Sequence, residues 1–331
     1  MRIDVIDTPD AFEALRPNWD RLYAADPEGQ FFLSWIWLSQ LFERRPKNWC
    51  VLAAADEAAK DYVAFLPLRL KTRFSRSRQR RMPQIYMAGN FWADYTGFIC
   101  DPDHEDEAIP ALARHLRDEM SWERLHFENI RASSRRLELL KDQYPASRFR
   151  TTYRNRTSKT DGINLLICPS VPLPATFDEY LQRCVSANTR QKIRRFTRQV
   201  EASDELQIVE SVPATRARDI DALTRFWQLR WAERKGEEIE VMAQKYRRIL
   251  EQGLDAGIMH LSLLLDQERP VALNASFVDR EKRCMLFYVT SRDMSWRRVP
   301  AGLMLHAYNI RWAIGQGLRE YDLLRGDEQY K

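Results

Sequence analysis

The chain has 331 residues, enough for about two domains at roughly 100–200 residues each. Hydrophobic residues make up 44% and charged residues 30%, a balance that fits a folded globular chain and argues against disorder. Eleven glycines exclude a glycine-rich or collagen-like segment, and no apolar run approaches the roughly 18 uncharged residues of an ordinary membrane span. The net charge is only +5, but the basic residues cluster: seven in 69–81, five in 148–159 and six in 183–198, with no acid in any of the three. The acidic run 101–107 (DPDHEDE) offsets them. Such clusters either attract phosphate-bearing partners or form solvated faces. The cysteines (Cys50, Cys100, Cys168, Cys184, Cys284) are odd in number and include no CxxC pair, and the five histidines show no HExxH spacing, so neither a disulfide framework nor a metal site is expected. The opening residues carry acids and lack an apolar h-region, so no secretory signal is expected and the cytoplasm is the expected compartment.

In chain order, the first 45 residues read as two helices. Phe12, Leu15, Trp19 and Leu22 follow helical spacing, and Ser34 is placed to cap a second helix over SWIWLSQLF. Residues 49–55 and 62–70 read as a strand pair, followed by the basic segment as a loop and by extended structure over 84–100. A helix at about 105–120, a strand at 123–130, a short helix and two more strands complete the first half near Ile167. Residues 168–175 (CPSVPLPA) contain three prolines and read as a linker, because proline blocks helix continuation and sheet pairing. The second half reads as a long helix over 176–202, a short strand, helices at 214–234 and 240–256, a three-strand meander, a helix at 300–315 and a last strand, LREYDLL.

The two halves share a pattern. Phe127-Glu128-Asn129-Ile130-Arg131 and Tyr321-Asp322-Leu323-Leu324-Arg325 each follow a helix and read aromatic, acid, any, branched aliphatic, arginine. This suggests two related lobes.

Chemistry concentrates in 282–331. A strand enters the loop DMSWRRVPAG and then a helix whose Leu303, Ala307, Ile310 and Ile314 share a face. Arg297 and Arg298 precede the helix N-terminus, where free N–H groups and the dipole favour an anion, and Gly302 permits close approach. Arg297, Arg298, Ala301, Gly302 and Leu303 are therefore candidate phosphate contacts, against the alternative of an arginine pair solvating a loop. On the long basic helix, Arg190, Arg194 and Arg198 form one stripe and Ile193, Phe196 and Val200 another. The basic stripe either lines a groove for phosphates or an acidic substrate, or is a solvated face. Trp231, Arg325 and Lys331 join Arg190 and Arg194 as groove candidates.

The strand, loop, helix and strand order is similar to the GNAT acyltransferase core. That family's pyrophosphate loop, Gln/Arg-x-x-Gly-x-Gly/Ala, is matched here at Arg297 and Gly302, with Pro300 in place of the first glycine. The closing residues 321–331 (YDLLRGDEQYK) resemble the last motif of the CelD/BcsL-type acetyltransferases of cellulose and exopolysaccharide biosynthesis. Phe32, Trp35 and Trp37, the Asp94-Tyr95 step, the helix segment 188–195 (NTRQKIRR), and Trp227 with Trp231 also resemble that family. The resemblance spans about residues 30–331. It implies an α/β (α+β) chain of two tandem GNAT-like lobes, each a mixed, mostly antiparallel sheet flanked by helices: 1–167, the linker 168–175, and 176–331 with the acyl-donor site. It also implies a further element beyond Lys331.

The activity so implied is transfer of an acyl group from acetyl-coenzyme A, another acyl-coenzyme A or a carrier-protein thioester, without a metal. The acceptor would be an amine or hydroxyl of a sugar, amino acid or peptide, with envelope-assembly proteins as possible associates. Asp322 or Asp327 would act as base or orient the acceptor, with Glu328 behind them. Tyr330 would protonate the departing thiolate, and Asp94 and Tyr95 would reach in from the other lobe. Each has a structural alternative: Asp322 as a turn residue, Tyr330 as core. Leu323 shares a face with Tyr321, so Tyr321 is expected in the core and Asp322 in the cleft, with the last strand beside 285–291 and splaying from it. Nucleic acid is not the expected partner. The rival readings are a FemAB-like transferase using charged tRNA, and a non-catalytic GNAT-like scaffold.

Overall fold

The computed structural model describes residues 1–44, 47–56, 61–77, 79–89, 92–154, 156–158 and 162–329. The chain divides into two compact units, Met1–Arg156 and Thr157–Lys331. Among the described residues, no helix is long and apolar enough to cross a membrane.

The first unit opens with a strand, β1 (Arg2–Ile6), where the sequence suggests only helices. RIDVI alternates too briefly to stand out, and β1 is the edge of its sheet. Helices α1 (Pro9–Ala14), α2 (Arg16–Ala25) and α3 (Trp35–Glu43) follow, and Ser34 caps α3 as expected. Their aromatics stack on one another and on the sheet: Phe12 on Trp35 at 4.1 Å and Trp19 on Phe65 at 4.6 Å. Next come β2 (Trp49–Ala55), β3 (Tyr62–Ser75), β4 (Arg80–Met87), β5 (Ile99–Cys100), α4 (Glu105–Asp118), β6 (Arg124–His126) and α5 (Ser134–Lys141). The sheet order is β1-β2-β3-β4-β6, with β5 also on β3. Leu52, Leu66 and Leu68 face Ile109 and Leu112 of α4 in the core.

The basic segment 69–81 is not the loop its charge suggested. β3 takes 69–75 of it and β4 takes 80–81, paired from Arg69↔Tyr86 to Ser75↔Arg80. Backbone pairing needs no buried side chain, and this end of the hairpin lies mostly exposed beyond the core.

The second unit contains β7 (Ser170–Pro172), α6 (Phe177–Arg183), α7 (Ala187–Glu201), β8 (Leu206–Glu210), α8 (Arg216–Lys235), α9 (Ile239–Asp255), β9 (Met259–Asp266), β10 (Arg269–Asp279), β11 (Cys284–Arg292), α10 (Ala301–Gly315) and β12 (Glu320–Asp322). Its sheet order is β7-β12-β11-β10-β9-β8. Sequence and structure differ here at four points. The proline-rich segment supplies β7, which pairs with β12 at the sheet edge, a position where proline's missing N–H costs no ladder bond. The unit boundary falls ahead of it, after Arg156. The long helix 176–202 is two, because Ser186 takes an extended conformation and its Oγ accepts from Thr189 N at 3.2 Å, starting α7 afresh. In place of two strands before Ile167, the described residues hold one isolated bridge, Thr157↔Asn164.

The internal repeat is visible in topology. In each sheet one neighbouring strand pair is parallel and is bridged through a helix: β4 to β6 by way of α4, and β11 to β12 by way of α10. In the second unit, α6, α7 and α10 pack on one sheet face, where Tyr180, Ile193, Met285, Ile310 and Tyr321 share a core. α8 and α9 take the other face, where Tyr288 meets Tyr246 and Phe277.

Candidate active site

β11 and β12 pair over three positions only, from Cys284↔Glu320 to Leu286↔Asp322, while β11 runs on to Arg292. Just past that point β11 carries a bulge: Ala275 pairs with Val289 but Ser276 with Phe287, leaving Tyr288 extra. A bulge bends the strand that carries it. On the α10 side of this divergence lies a cavity of about 770 Å³, bounded by α6, α7, α10 and the sheet.

Its charge is one-sided. Lys192 of α7, Arg230 of α8 and Arg292 of β11 line it, and no carboxylate does so among the described residues. The N-terminus of α10 also opens on it. Pro300 precedes the helix and offers no side-chain cap, so the first-turn N–H groups remain available as hydrogen-bond donors. Pro300, Gly302 and Leu303 line the wall, and a Cβ built on Gly302 would meet no atom within 4 Å. The loop before α10 is held from outside the cavity. Asp293 accepts from Ser295 N at 2.9 Å and Ser295 Oγ at 2.6 Å. Trp296 Nε1 donates to Asp266 at 2.7 Å.

At the inner end, Tyr321 and His306 line the cavity, with the phenol oxygen 3.0 Å from His306 Nδ1. Asn309, Asn274 and Ser276 lie beside the same phenol, all buried. Burial holds the Tyr321 phenol well above the ordinary tyrosine range, so it stays protonated and can donate a hydrogen bond. A positive rim, a helix N-terminus and an internal phenol suit a long molecule with phosphates at one end and a reactive group at the other.

Residues 187–331 match the family model of the acetyltransferase (GNAT) domain. The match lies wholly within the second unit. No curated protein matches the chain by sequence. Among solved structures, FemX is similar at TM-score 0.62 and 11% identity, covering 95% of this chain and 88% of that one. A conserved protein of unknown function from Bacteroides thetaiotaomicron is similar at TM-score 0.52 and 11% identity, over 98% and 91%. A tandem GNAT protein from the clavulanic acid biosynthesis pathway follows at TM-score 0.49 and 10%, over 97% and 89%. At such identities the likeness to the first two is one of fold.

Within the residues matched by that model and around them, the expected contacts divide. Gly302 and Leu303 line the cavity, and Ala301 is buried at the first turn of α10. Arg298 instead turns away to Glu205 at 2.7 Å and Asp266 at 2.8 Å, while Arg297 is exposed and not part of the lining. Arg190 donates to the carbonyls of Leu181 and Gln182 at the end of α6, and Arg194 faces Asp178 at 3.7 Å. Trp231 packs against Arg230 and Arg234 and is not among the lining residues.

On β12 the expected core position of Tyr321 is found, but that core face is also the cavity wall, and Asp322 does not face the cavity. Tyr321 and Leu323 line the cavity; Asp322 alternates to the other face, buried, and its Oδ1 accepts from Leu324 N at 2.7 Å. That bond closes a turn in which Leu324 has φ +58°. Asp327 is exposed and its Oδ1 accepts from Asn164 N at 2.7 Å; Glu328 packs on Gly326, and Arg325 is half-buried. Tyr330 and Lys331 lie outside the described residues. Asp94 and Tyr95 belong to the first unit, where Arg131 covers the buried Tyr95 ring at 4.8 Å.

Sequence reasoning missed Lys192, Arg230, Arg292, His306 and Tyr321 as cavity residues. Thr189 and Lys192, three apart and next to the apolar Ile193 stripe, were the available signal on α7; the regular arginine stripe masked it.

Proposed function

We propose that the GNAT domain is an acyltransferase that binds a coenzyme A thioester in the 770 Å³ cavity and passes its acyl group to an amine or hydroxyl acceptor. The observation that carries this reading is the cavity at the point where β12 leaves β11, open at one end to the uncapped α10 N-terminus and a rim of three cations, and ended at the other by Tyr321. Phosphates of the donor would meet the α10 N–H groups with Lys192, Arg230 and Arg292, which neutralise charge at low desolvation cost near the surface. The chain beyond them is narrow and flexible, as the gap between the strands requires. The thioester carbonyl would take a hydrogen bond from β11 backbone past Leu286, where β12 no longer occupies that edge. The Tyr321 phenol, kept protonated by burial, would stabilise and protonate the leaving thiolate.

The closing segment 321–331 and its CelD/BcsL-type resemblance support a sugar, amino acid or peptide acceptor of the cell envelope. Isothermal calorimetry with coenzyme A and acetyl-coenzyme A tests the donor. Binding in the micromolar range supports the reading. Absence of binding, together with tight, salt-sensitive binding of charged tRNA, would replace it with the aminoacyl-transfer alternative.

A further inference from the structure

Beneath α10 the apolar core is interrupted by a polar row. Ser262 of β9, Asn274 and Ser276 of β10, Asn309 of α10 and His260 of β9 are all buried. The row begins at the Tyr321 phenol in the cavity wall, where Asn309, Asn274 and Ser276 lie beside the hydroxyl. It continues through Asn309 to His260, whose cross-strand neighbour is Ser276. It ends at the sheet edge, where His260 Nδ1 lies 3.5 Å from the half-exposed carboxylate of Glu210 on β8. Both amide atoms of Asn309 and Nε2 of His260 are buried and meet no hydrogen-bond partner among the described residues. Orphaned polar atoms of this kind are costly and are ordinarily satisfied by water.

We propose that Tyr321 and His260, joined by water held at the orphaned atoms of Asn309, form a proton exit from the cavity to Glu210. The proposal rests on the acyl-transfer reading and extends it to an amine acceptor. An ammonium group that is acylated loses two protons as the N–C bond forms and the C–S bond breaks: one goes to the thiolate sulfur, and the other leaves for solvent. A hydroxyl acceptor gives only the first. The geometry of His260 suits the second. With Nδ1–H directed at Glu210, its Nε2 lone pair points into the row, so a proton accepted at Nε2 releases another from Nδ1 to the carboxylate. The other groups facing the ring are Tyr308, itself beside Glu210, and Trp312 at 4.1 Å, both on α10. Desolvation pushes the imidazole down to about 4, so it is neutral at pH 7 and passes a proton only by releasing one from Nδ1 as Nε2 gains another.

The test is the solvent exchange of the Tyr321 hydroxyl, read from the isotope-split Cζ signal of labelled tyrosine in equal parts H2O and D2O, with Tyr321→Phe assigning the line. Fast exchange in the wild-type chain, slowed about tenfold or more in His260→Phe, Asn309→Leu and the surface variant Glu210→Gln, is the expected result. Glu210→Gln keeps the test open if the two core variants fail to fold. Slow exchange in the wild type, or exchange unchanged in the folded variants, would overturn the exit. No coenzyme A is present, so that failure leaves donor binding to be judged separately.

Discussion

The Tyr321 hydroxyl lies 3.0 Å from His306 Nδ1, joining the last strand of the second sheet to the helix before it. The next residue, Asp322, turns its carboxylate to the opposite face and closes the turn at Leu324. Two adjacent buried polar side chains therefore carry separate tasks, because strand alternation sends one to the cavity and the other away from it.

This division separates activity from stability. Tyr321→Phe is expected to lower acyl-transfer turnover at least about tenfold, roughly 1.4 kcal/mol of barrier, with little change in melting temperature. Asp322→Ala is expected to cost about 1–3 kcal/mol of stability through the lost bond to Leu324 N. Coenzyme A release and thermal melting on the same preparations check both. Full turnover in Tyr321→Phe would remove the phenol from the mechanism.

Donor affinity should follow the cavity rim and not the arginine pair. Lys192→Ala with Arg292→Ala should weaken coenzyme A binding by about 1–3 kcal/mol, the scale of charge-assisted hydrogen bonds. Arg297→Ala, outside the lining, should leave it near the wild-type value. Calorimetry with the reverse ranking would move the phosphates to the loop.

Gly302 should respond with opposite signs in two measurements. It is the second residue of α10, and its added methyl meets nothing within 4 Å. Gly302→Ala should therefore hold or raise the melting temperature, since glycine costs a helix about 0.5–1 kcal/mol relative to alanine. The same methyl should weaken coenzyme A binding, because it projects where the phosphate approaches. Unchanged affinity would place the phosphates elsewhere.

The loop before α10 should loosen in acid. The Ser295 hydroxyl, the Ser295 N–H and Arg269 hold Asp293 at about 2, below its ordinary 3.8. A depressed folded-state value contributes stability above the unfolded value and loses it as pH falls through the folded one. The gap in stability between wild type and Asp293→Asn should thus be full above about pH 4 and close towards pH 2. Urea melts across that range are the check; a gap independent of pH would show that the charge does not matter.

In the first unit, Arg136 is almost wholly buried and lies 2.9 Å from the buried Asp26 and 2.7 Å from Glu105. It ties the C-terminal end of α2 to the start of α4. Arg136→Leu should destabilise the fold by about 3–5 kcal/mol, since Asp26 would keep its charge without its partner. A smaller loss in chemical denaturation would mean that water reaches the site.

The sequence by itself determined the local elements with strong periodicity or caps: α3 behind Ser34, α4, the helix at 300–315, the β9–β11 meander, and the tandem pattern of a helix followed by a strand. Those depend on neighbours in the chain. The tertiary structure alone decided which cations meet the cavity. Arg298 finds Glu205 and Asp266 across the sheet edge, and Arg190 finds the carbonyls of α6, so both are spent on the fold, while Lys192 and Arg292 remain on the cavity rim. It also decided the faces of β12. Leu323 suggested that Tyr321 belonged to the core, but the α10-side core is itself the cavity wall, so alternation turned Tyr321 inward to the site and sent Asp322 to the turn. Residue spacing fixes which side chains share a face; only packing against α6, α7 and α10 makes that face a cavity wall.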